Sequence, residues 1–384
     1  MKHWSAHQFR QAAISTGLPK DQTEAAWSFI RSLQDQGLAP VLTLQHLAHE
    51  TASSGYRLRS VVTRDGIKCY YRSFRINKRS GGFRRIFIPT LELQSVLHWV
   101  HDSILTKLRP HPRAFAFRTG TSVVDCASEH CGARWLIKFD AKDFFESIDE
   151  VRVFRIFRDA GYPELLCFEL ARLTTVPIKY LISRQGADRS PSTLSIPNEG
   201  SYTIQDYDFP ERGVLGQGLA TSPVLSNLAC RHLDEVIQSY ATENDFVYTR
   251  YSDDITLSSA VKHLTRSRIA ETRRNVLEAL RKSGLRENQK KFSVVGPGGR
   301  RIVLGLLIDG DRPRLSRATR SRIEGHLKFL MCFGASGHAA FRGFRSIDAL
   351  RQHVLGLLAY VKQVDPELHL SYIQRAEAIE WPPG

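Results

Sequence analysis

The sequence predicts an α+β chain. Helical apolar spacing dominates both ends, strand-like alternation is confined to hairpins in the centre, and basic charge gathers in two blocks. Of the 384 residues, 42% are hydrophobic and 24% charged, enough apolar material for a real core, which excludes a disordered tail protein. The 26 Gly and 16 Pro follow no period, which excludes a collagen-like or low-complexity chain. The formal charge of +15 points to a polyanionic partner.

Residues 1–56 read as helical, with capped apolar periodicity from Asp21 to Leu33 and again from Leu42 to Ala52. From Ile67 to Ile88 the pattern changes: Tyr70, Arg72, Phe74 and Ile76 alternate, Lys78-Arg79-Ser80-Gly81-Gly82 turns, and Phe83 to Ile88 returns to Pro89. This is a basic β-hairpin. Leu91 to Leu108 reads as helix, Trp135 to Phe139 as a short strand, and Val151 to Leu173 as mostly helix. Residues 183–213, rich in Ser, Pro, Gly and Asn, read as an insertion loop. Gly218 to Tyr240 is expected helical, Asp245 to Ser259 a hairpin, Leu264 to Ser283 helical and Arg301 to Ile308 a strand. Helices over 316–333 and 347–363 end the chain, with His338 to Gly343 a loop between them.

Residues 57–85 carry a net +9 and residues 261–330 a net +12, which leaves −6 for the rest. Two basic walls flanking a mildly acidic centre suit a protein that grips phosphates at its sides and cations in its middle. The start, Met1-Lys2-His3-Trp4, lacks an apolar signal region, and no apolar run approaches a membrane span, so a cytoplasmic protein without a membrane partner is expected. The six Cys form no CxxC pair; Cys126 and Cys131 bracket His130, but no second pair sits at zinc-ligand spacing.

The strand Leu136-Ile137-Lys138-Phe139 runs directly into Asp140, and Phe246 to Tyr251 leads to Ser252-Asp253-Asp254 before Ile255-Thr256-Leu257 resumes a strand. The first places a carboxylate at the edge of the core; the second is a hairpin with adjacent Asp residues at its tip. Alone, Asp-Asp at a turn means little, because Asp is a common turn residue. Together the three carboxylates fit two-metal phosphoryl transfer, which needs several hard oxygen ligands converging on one site. Without cations such carboxylates repel one another.

These residues resemble a reverse transcriptase. Tyr251-Ser252-Asp253-Asp254 matches the YxDD box, and Phe139-Asp140-Ala141-Lys142-Asp143-Phe144-Phe145 resembles the motif with the first catalytic Asp. Gly216-Gln217-Gly218-Leu219-Ala220-Thr221-Ser222-Pro223, followed by Ser226-Asn227, resembles the family's QG-x-x-TSP…SN box. Lys78, Gly81-Gly82, Arg84, Ile86 and Pro89 resemble its fingers hairpin, and Asn288 and Lys291 its Lys motif. Five motifs in order over residues 70–310 are highly specific. The resemblance is closest to bacterial retron-type enzymes. Phe117-Arg118 through Ala127-Ser128-Glu129-His130 is similar to their NAxxH region, with Cys126 in place of Asn. Val303-Leu304-Gly305 is similar to their VTG region, with Leu304 in place of Thr.

The resemblance implies a right-hand polymerase: an N-terminal helical extension over 1–56, fingers over 57–134, a palm with an antiparallel sheet over 135–308 and a helical thumb over 309–384. It implies Asp140, Asp253 and Asp254, with the carbonyl of Ala141, as ligands of two Mg²⁺ ions, or of Mn²⁺ in their place. Asp143 is the rival ligand and is expected instead to cap the next helix. Lys78 and Arg84, with Arg85 as the substitute, would clamp the triphosphate of an incoming deoxynucleotide. Gln217 and Gly218 would floor the template and incoming base, Lys291 would approach the leaving pyrophosphate, and Phe145 would be the aromatic gate that excludes a 2′-hydroxyl. Sequence alone does not settle which of Phe144 and Phe145 faces out. Ala127 and His130 would contact the partner RNA, and Arg312, Arg314, Arg317, Arg320, Arg322 and Lys328 would track duplex phosphates.

The function so implied is an RNA-directed DNA polymerase that copies a structured non-coding RNA into DNA, in an anti-phage defence system with an effector protein as a further partner. The alternatives are a defence-associated enzyme with protein-primed or untemplated synthesis, and an inactive polymerase fold serving as an RNA scaffold.

Overall fold

A computed structural model describes residues 6–17, 19–64, 70–78, 81–182 and 212–382. The expected insertion over 183–213 therefore lies outside the described residues, apart from Arg212 and Gly213.

Four helices open the chain: α1 (Ala6–Ser15), α2 (Lys20–Asp35), α3 (Leu44–Glu50) and α4 (Gly55–Thr63). Thr43 and Ser54 cap α3 and α4 by accepting hydrogen bonds from the His46 and Arg57 amides. The expected division after residue 56 falls inside α4. Leu33, Leu47, Leu58 and Val61 bury into the same core as Phe87, Leu97 and Phe157, so α2, α3 and α4 share one core with the central part of the chain. The basic hairpin forms as β1 (Tyr71–Asn77) and β2 (Phe83–Pro89), with Asn77 opposite Phe83 at its tip. After it come α5 (Leu91–Ser103) and α6 (Val123–Ser128), the latter held by a capping box between Ser122 and Asp125.

The next run supplies the centre: β3 (Trp135–Asp140), α7 (Glu150–Asp159), α8 (Glu164–Leu173), β4 (Val176–Pro177), α9 (Lys179–Ile182), β5 (Gly213–Val214), α10 (Ser222–Ala229) and α11 (Arg231–Glu243). Then β6 (Val247–Tyr251), β7 (Asp254–Ser259), α12 (Arg266–Lys282) and β8 (Ser293–Val295) complete a four-stranded antiparallel sheet of order β6-β7-β3-β8. In β3, Leu136, Ile137, Phe139 and Asp140 are all buried, as expected of an inner strand covered by helices. The expected helix over Val151–Leu173 is two helices, separated at Gly161-Tyr162-Pro163, where Gly161 has φ +94°. The helix expected from Gly218 begins only at Ser222, because Gly218 itself has φ +104°, a conformation no helix continues.

The chain ends in β9 (Ile302–Val303), β10 (Leu306–Leu307), β11 (Arg314–Leu315), α13 (Arg317–Arg342), α14 (Ile347–Val364) and α15 (Pro366–Glu377). The single strand expected over Arg301–Ile308 is instead a tight hairpin. Leu304 and Gly305 both take positive φ, +49° and +86°, as a two-residue turn between paired strands requires. The loop expected over His338–Gly343 is the last turns of α13, which reaches Arg342 before Gly343 caps it with φ +69°. Leu306, Leu315, Ile323, Leu327, Leu350 and Leu358 form a second core around these helices. Among the described residues, no helix is long and apolar enough to cross a membrane.

Candidate active site

β3 ends on Asp140 and β7 begins on Asp254, and the two are cross-strand partners. The turn between β6 and β7 is Ser252-Asp253, with Ser252 in the left-handed region at φ +59°. The Ala141 amide donates to the Asp253 carbonyl at 2.9 Å, which fixes that turn against the end of β3. Three carboxylates thus meet at one end of the sheet. Burial, and then the charge of Asp140, pushes the Asp253 carboxyl above its ordinary range; burial, and then Asp253, does the same to Asp254.

A short segment beside β3 completes the site. The Asn288 amide donates to the Asp140 carbonyl at 2.7 Å, and its side-chain amide donates to Asp140 Oδ1 at 2.9 Å. Lys291 Nζ donates to Asp140 Oδ2. Burial lowers the Lys291 ammonium pKa, but its bond to Asp140 and the charges of Asp140, Asp253 and Asp254 together outweigh this and hold it above its usual value. Among the described residues, no three metal-binding side chains converge closely enough to hold an ion as they stand. The donor set nevertheless fits a divalent cation: hard oxygens, mutually repelling, with one cationic side chain already drawn onto Asp140.

The hairpin and the Gln217 loop face this cluster. The positive charge of Arg84 acts on Asp253, and that of Lys78 on Glu146. Arg85 lies half-buried on the other face of β2, opposite Arg75. The Phe87 amide donates to the Gln217 carbonyl at 2.8 Å, and a Cβ on Gly218 would come within 2.4 Å of the Phe87 carbonyl, so glycine is what allows that approach. The Gln217 side chain donates to Glu146 Oε1 at 2.9 Å. Phe144 is buried, whereas Phe145 is half-exposed, with its ring 6.2 Å from that of Phe117. Asp143 does not cap the following helix with its side chain. Its carbonyl accepts from the Ser147 amide at 2.9 Å, and Asp149 caps α7.

Behind the turn lies a network that sequence reading did not assemble. Arg250 and Asp234 are fully buried and form a bidentate pair, with Nε–Oδ1 and Nη2–Oδ2 both at 2.7 Å. Tyr248 donates to the same carboxylate at 2.6 Å. Arg250 Nη1 donates to the Ser252 carbonyl at 3.2 Å and to Asn227 Oδ1 at 3.1 Å, and Asn227 in turn donates to the Ala116 carbonyl at 2.6 Å. The Ser226-Asn227 motif was the available signal for this network.

Ala127 and His130, expected at the nucleic acid, have no exposed surface to offer it. His130 bonds Ser258 through Nδ1 and Thr249 through Nε2, each at 2.7 Å, so it straps α6 to the β6–β7 hairpin. Burial, followed by the charges of Arg113 and Lys138, pushes it down to about 3. Arg312, Arg314, Arg317, Arg322 and Lys328 are exposed; Arg320 is half-buried and contacts Asp365 at 3.4 Å.

Residues 76–308, well over half of the chain, match the family described as reverse transcriptase (RNA-dependent DNA polymerase). The chain belongs to the reverse transcriptase family. As a reverse transcriptase of the retron type, it is an RNA-directed DNA polymerase. It is 27% identical to the retron Ec86 reverse transcriptase of Escherichia coli over 90% of this chain and 92% of that one. It is 30% identical to the retron Mx65 reverse transcriptase of Myxococcus xanthus, over 78% of this chain and 62% of that one. With the retron Ec73 reverse transcriptase of Escherichia coli it shares 27% identity, over 79% of this chain and 88% of that one. Reverse transcriptases generally work with divalent metal ions.

Proposed function

We propose that this reverse transcriptase copies a structured non-coding RNA partner into DNA from deoxynucleoside triphosphates, at the carboxylates Asp140, Asp253 and Asp254. The observation that carries the reading is the cross-strand pairing of Asp140 with Asp254, with Asp253 tied to Ala141 beside them. These three side chains, with the Ala141 carbonyl, would hold two Mg²⁺ ions, or Mn²⁺ in their place. Bound there, divalent ions would supply Lewis acidity for the attacking hydroxyl and for the leaving pyrophosphate.

The chain's own residues do the rest. Arg84 and Lys78 neutralise the incoming triphosphate, and half-buried Arg85 supports the hairpin that carries them. Gln217, fixed by Glu146, and Gly218, flush against Phe87, give a flat floor for the template and incoming base. Phe145 stands under the sugar and excludes a 2′-hydroxyl. Lys291, paired with Asp140 here, would present its ammonium to the leaving pyrophosphate. Arg312, Arg314, Arg317, Arg320, Arg322 and Lys328 follow the duplex backbone.

In this reading the fingers span 57–134, the palm 135–308 and the thumb 309–384, and the enzyme works in the cytoplasm in an anti-phage system that includes an effector protein. The test is Asp253→Ala with Asp254→Ala, which is expected to abolish nucleotide incorporation and leave RNA binding intact. Incorporation at the wild-type rate refutes the assignment.

A further inference from the structure

We propose that the kinked stretch of α13 and the residues just beyond it form a stacking platform for unpaired nucleobases. The proposal rests on the RNA-partner reading above. Gly334 breaks α13 with φ 67° and ψ 173°, and the chain beyond it brings His338 and Phe341 back beside Phe329 and Phe333. The rings are nearly parallel. From Phe329, Phe333 lies 5.6 Å away at 23°, Phe341 5.9 Å away at 20°, and His338 5.6 Å away at 1°. His338 is buried and is bonded to His326 at 2.9 Å, which fixes the cluster from the inside. Phe333 and Phe341 are 65% and 74% exposed, so their outer faces are open. Three aromatic rings gathered at one exposed spot mark an interaction surface rather than a solvated helix face.

The surrounding charge selects the partner. Between Arg317 and Arg345 there are six Lys or Arg and one acidic residue, Glu324, which accepts a hydrogen bond from Tyr372. Arg322 lies two turns before Phe329 on the same face, Lys328 adjoins it, and Arg342 and Arg345 follow Phe341; all four are exposed. The positive charge of Arg342 acts on both His326 and His338, which places it beside the rings. Flat apolar faces within a basic frame fit a strand whose bases are free to stack and whose phosphates need neutralising. A duplex buries its base faces and could use only the frame.

The test compares wild type with Phe333→Leu, Phe341→Leu, the double Leu variant and Phe341→Trp, each confirmed folded by thermal melting. Affinity for a short single-stranded oligoadenylate and for duplex RNA is measured across salt concentrations. Each Leu variant is expected to lose about tenfold or more on oligoadenylate. The salt slope should not change, since no charge is removed. Binding to duplex should hold, and Phe341→Trp should bind at least as well as wild type. Leu variants that bind oligoadenylate like wild type overturn the platform alone. So does a Trp variant that behaves like Leu, which would mean a generic apolar contact. A double variant that changes the sedimentation mass without changing affinity shows a copy–copy interface instead. A wild-type protein that binds neither RNA removes the RNA-partner reading and the platform with it.

Discussion

Replacing Asp234 with Ala strikes the turn that carries Asp253 without touching a carboxylate of the site. In the folded protein Asp234 accepts two bonds of 2.7 Å from Arg250 and one of 2.6 Å from Tyr248, and Asp234 and Arg250 are both fully buried. Its removal leaves a guanidinium charge uncompensated in the core, which costs about 3–5 kcal/mol. The Tyr248 hydroxyl, left without its acceptor, adds about 1 kcal/mol. Against a typical total of about 5–15 kcal/mol, this is a loss that a denaturant melt reads directly as a lowered midpoint. Incorporation should fall further than stability explains. Arg250 also holds the Ser252 carbonyl, and displacing catalytic groups by an ångström costs about a hundredfold. Asp234→Leu combined with Arg250→Met separates the two effects: it removes the buried charge and should restore about 1–3 kcal/mol. The Ser252 carbonyl, however, still lacks its donor, so incorporation stays low. An Asp234→Ala midpoint shifted by less than about 1 kcal/mol, or a double variant that polymerises at the wild-type rate, refutes the argument.

Three further outcomes are expected. Phe145→Ala should admit ribonucleotides, read as the ratio of ribo- to deoxynucleotide incorporation; an unchanged ratio removes the gate. Asp254→Asn should melt at a higher temperature than wild type in chelator, because the wild-type carboxylate ionises there against burial and Asp253. Added Mg²⁺ should then raise the wild-type melting temperature more than the variant's, and equal shifts would mean the ion binds elsewhere. His130 is held down to about 3, below its unfolded value of 6.5, so it stabilises the fold fully above pH 6.5. As the pH falls from there, the unfolded chain takes a proton that the folded one refuses, and stability drops by about 1.4 kcal/mol per pH unit. His130→Gln should flatten that acid limb in melts between pH 6.5 and 4.5, and an unchanged slope assigns the limb to other groups.

The carboxylate site was legible because its geometry is local. A buried strand running into Asp140 and a strand–turn–strand around Ser252-Asp253 are each specified by neighbouring residues, and the motif order joins them. The Arg250–Asp234 pair was not legible. It spans 16 residues between a helix and a strand, and nothing in the alternation of β6 says that its Arg points inward. His130 misled in the opposite direction: a polar residue in a motif associated with RNA invites a surface role, yet its two ring nitrogens are satisfied inside the fold by two hydroxyls. The end expected at residue 333 coincides with the break at Gly334, but the helical stretch that resumes beyond it to Arg342 was obscured by Gly334 and Gly337, which interrupt helical periodicity in the sequence. Leu304 at positive φ defeated the strand expected over Arg301–Ile308, since a Leu carries no turn signal of its own.

The small ladder of β4 and β5 has a consequence for how such an enzyme can diversify. Val176 pairs with Val214 and Pro177 with Gly213, and the Arg64 guanidinium ties the neighbouring Thr175 to Glu150. The segment leaving at Ile178 and returning at Arg212 therefore starts and ends at one clasped point, reinforced by the Ile178 amide donating to the Arg212 carbonyl at 2.9 Å. Doubling the length of a closed loop costs only about 0.6 kcal/mol, so chain can be added or exchanged there without moving the Gln217 loop just beyond. The clasp makes this segment a natural insertion point, where a lineage can acquire new sequence, or a laboratory a tag, while the catalytic frame stays in register.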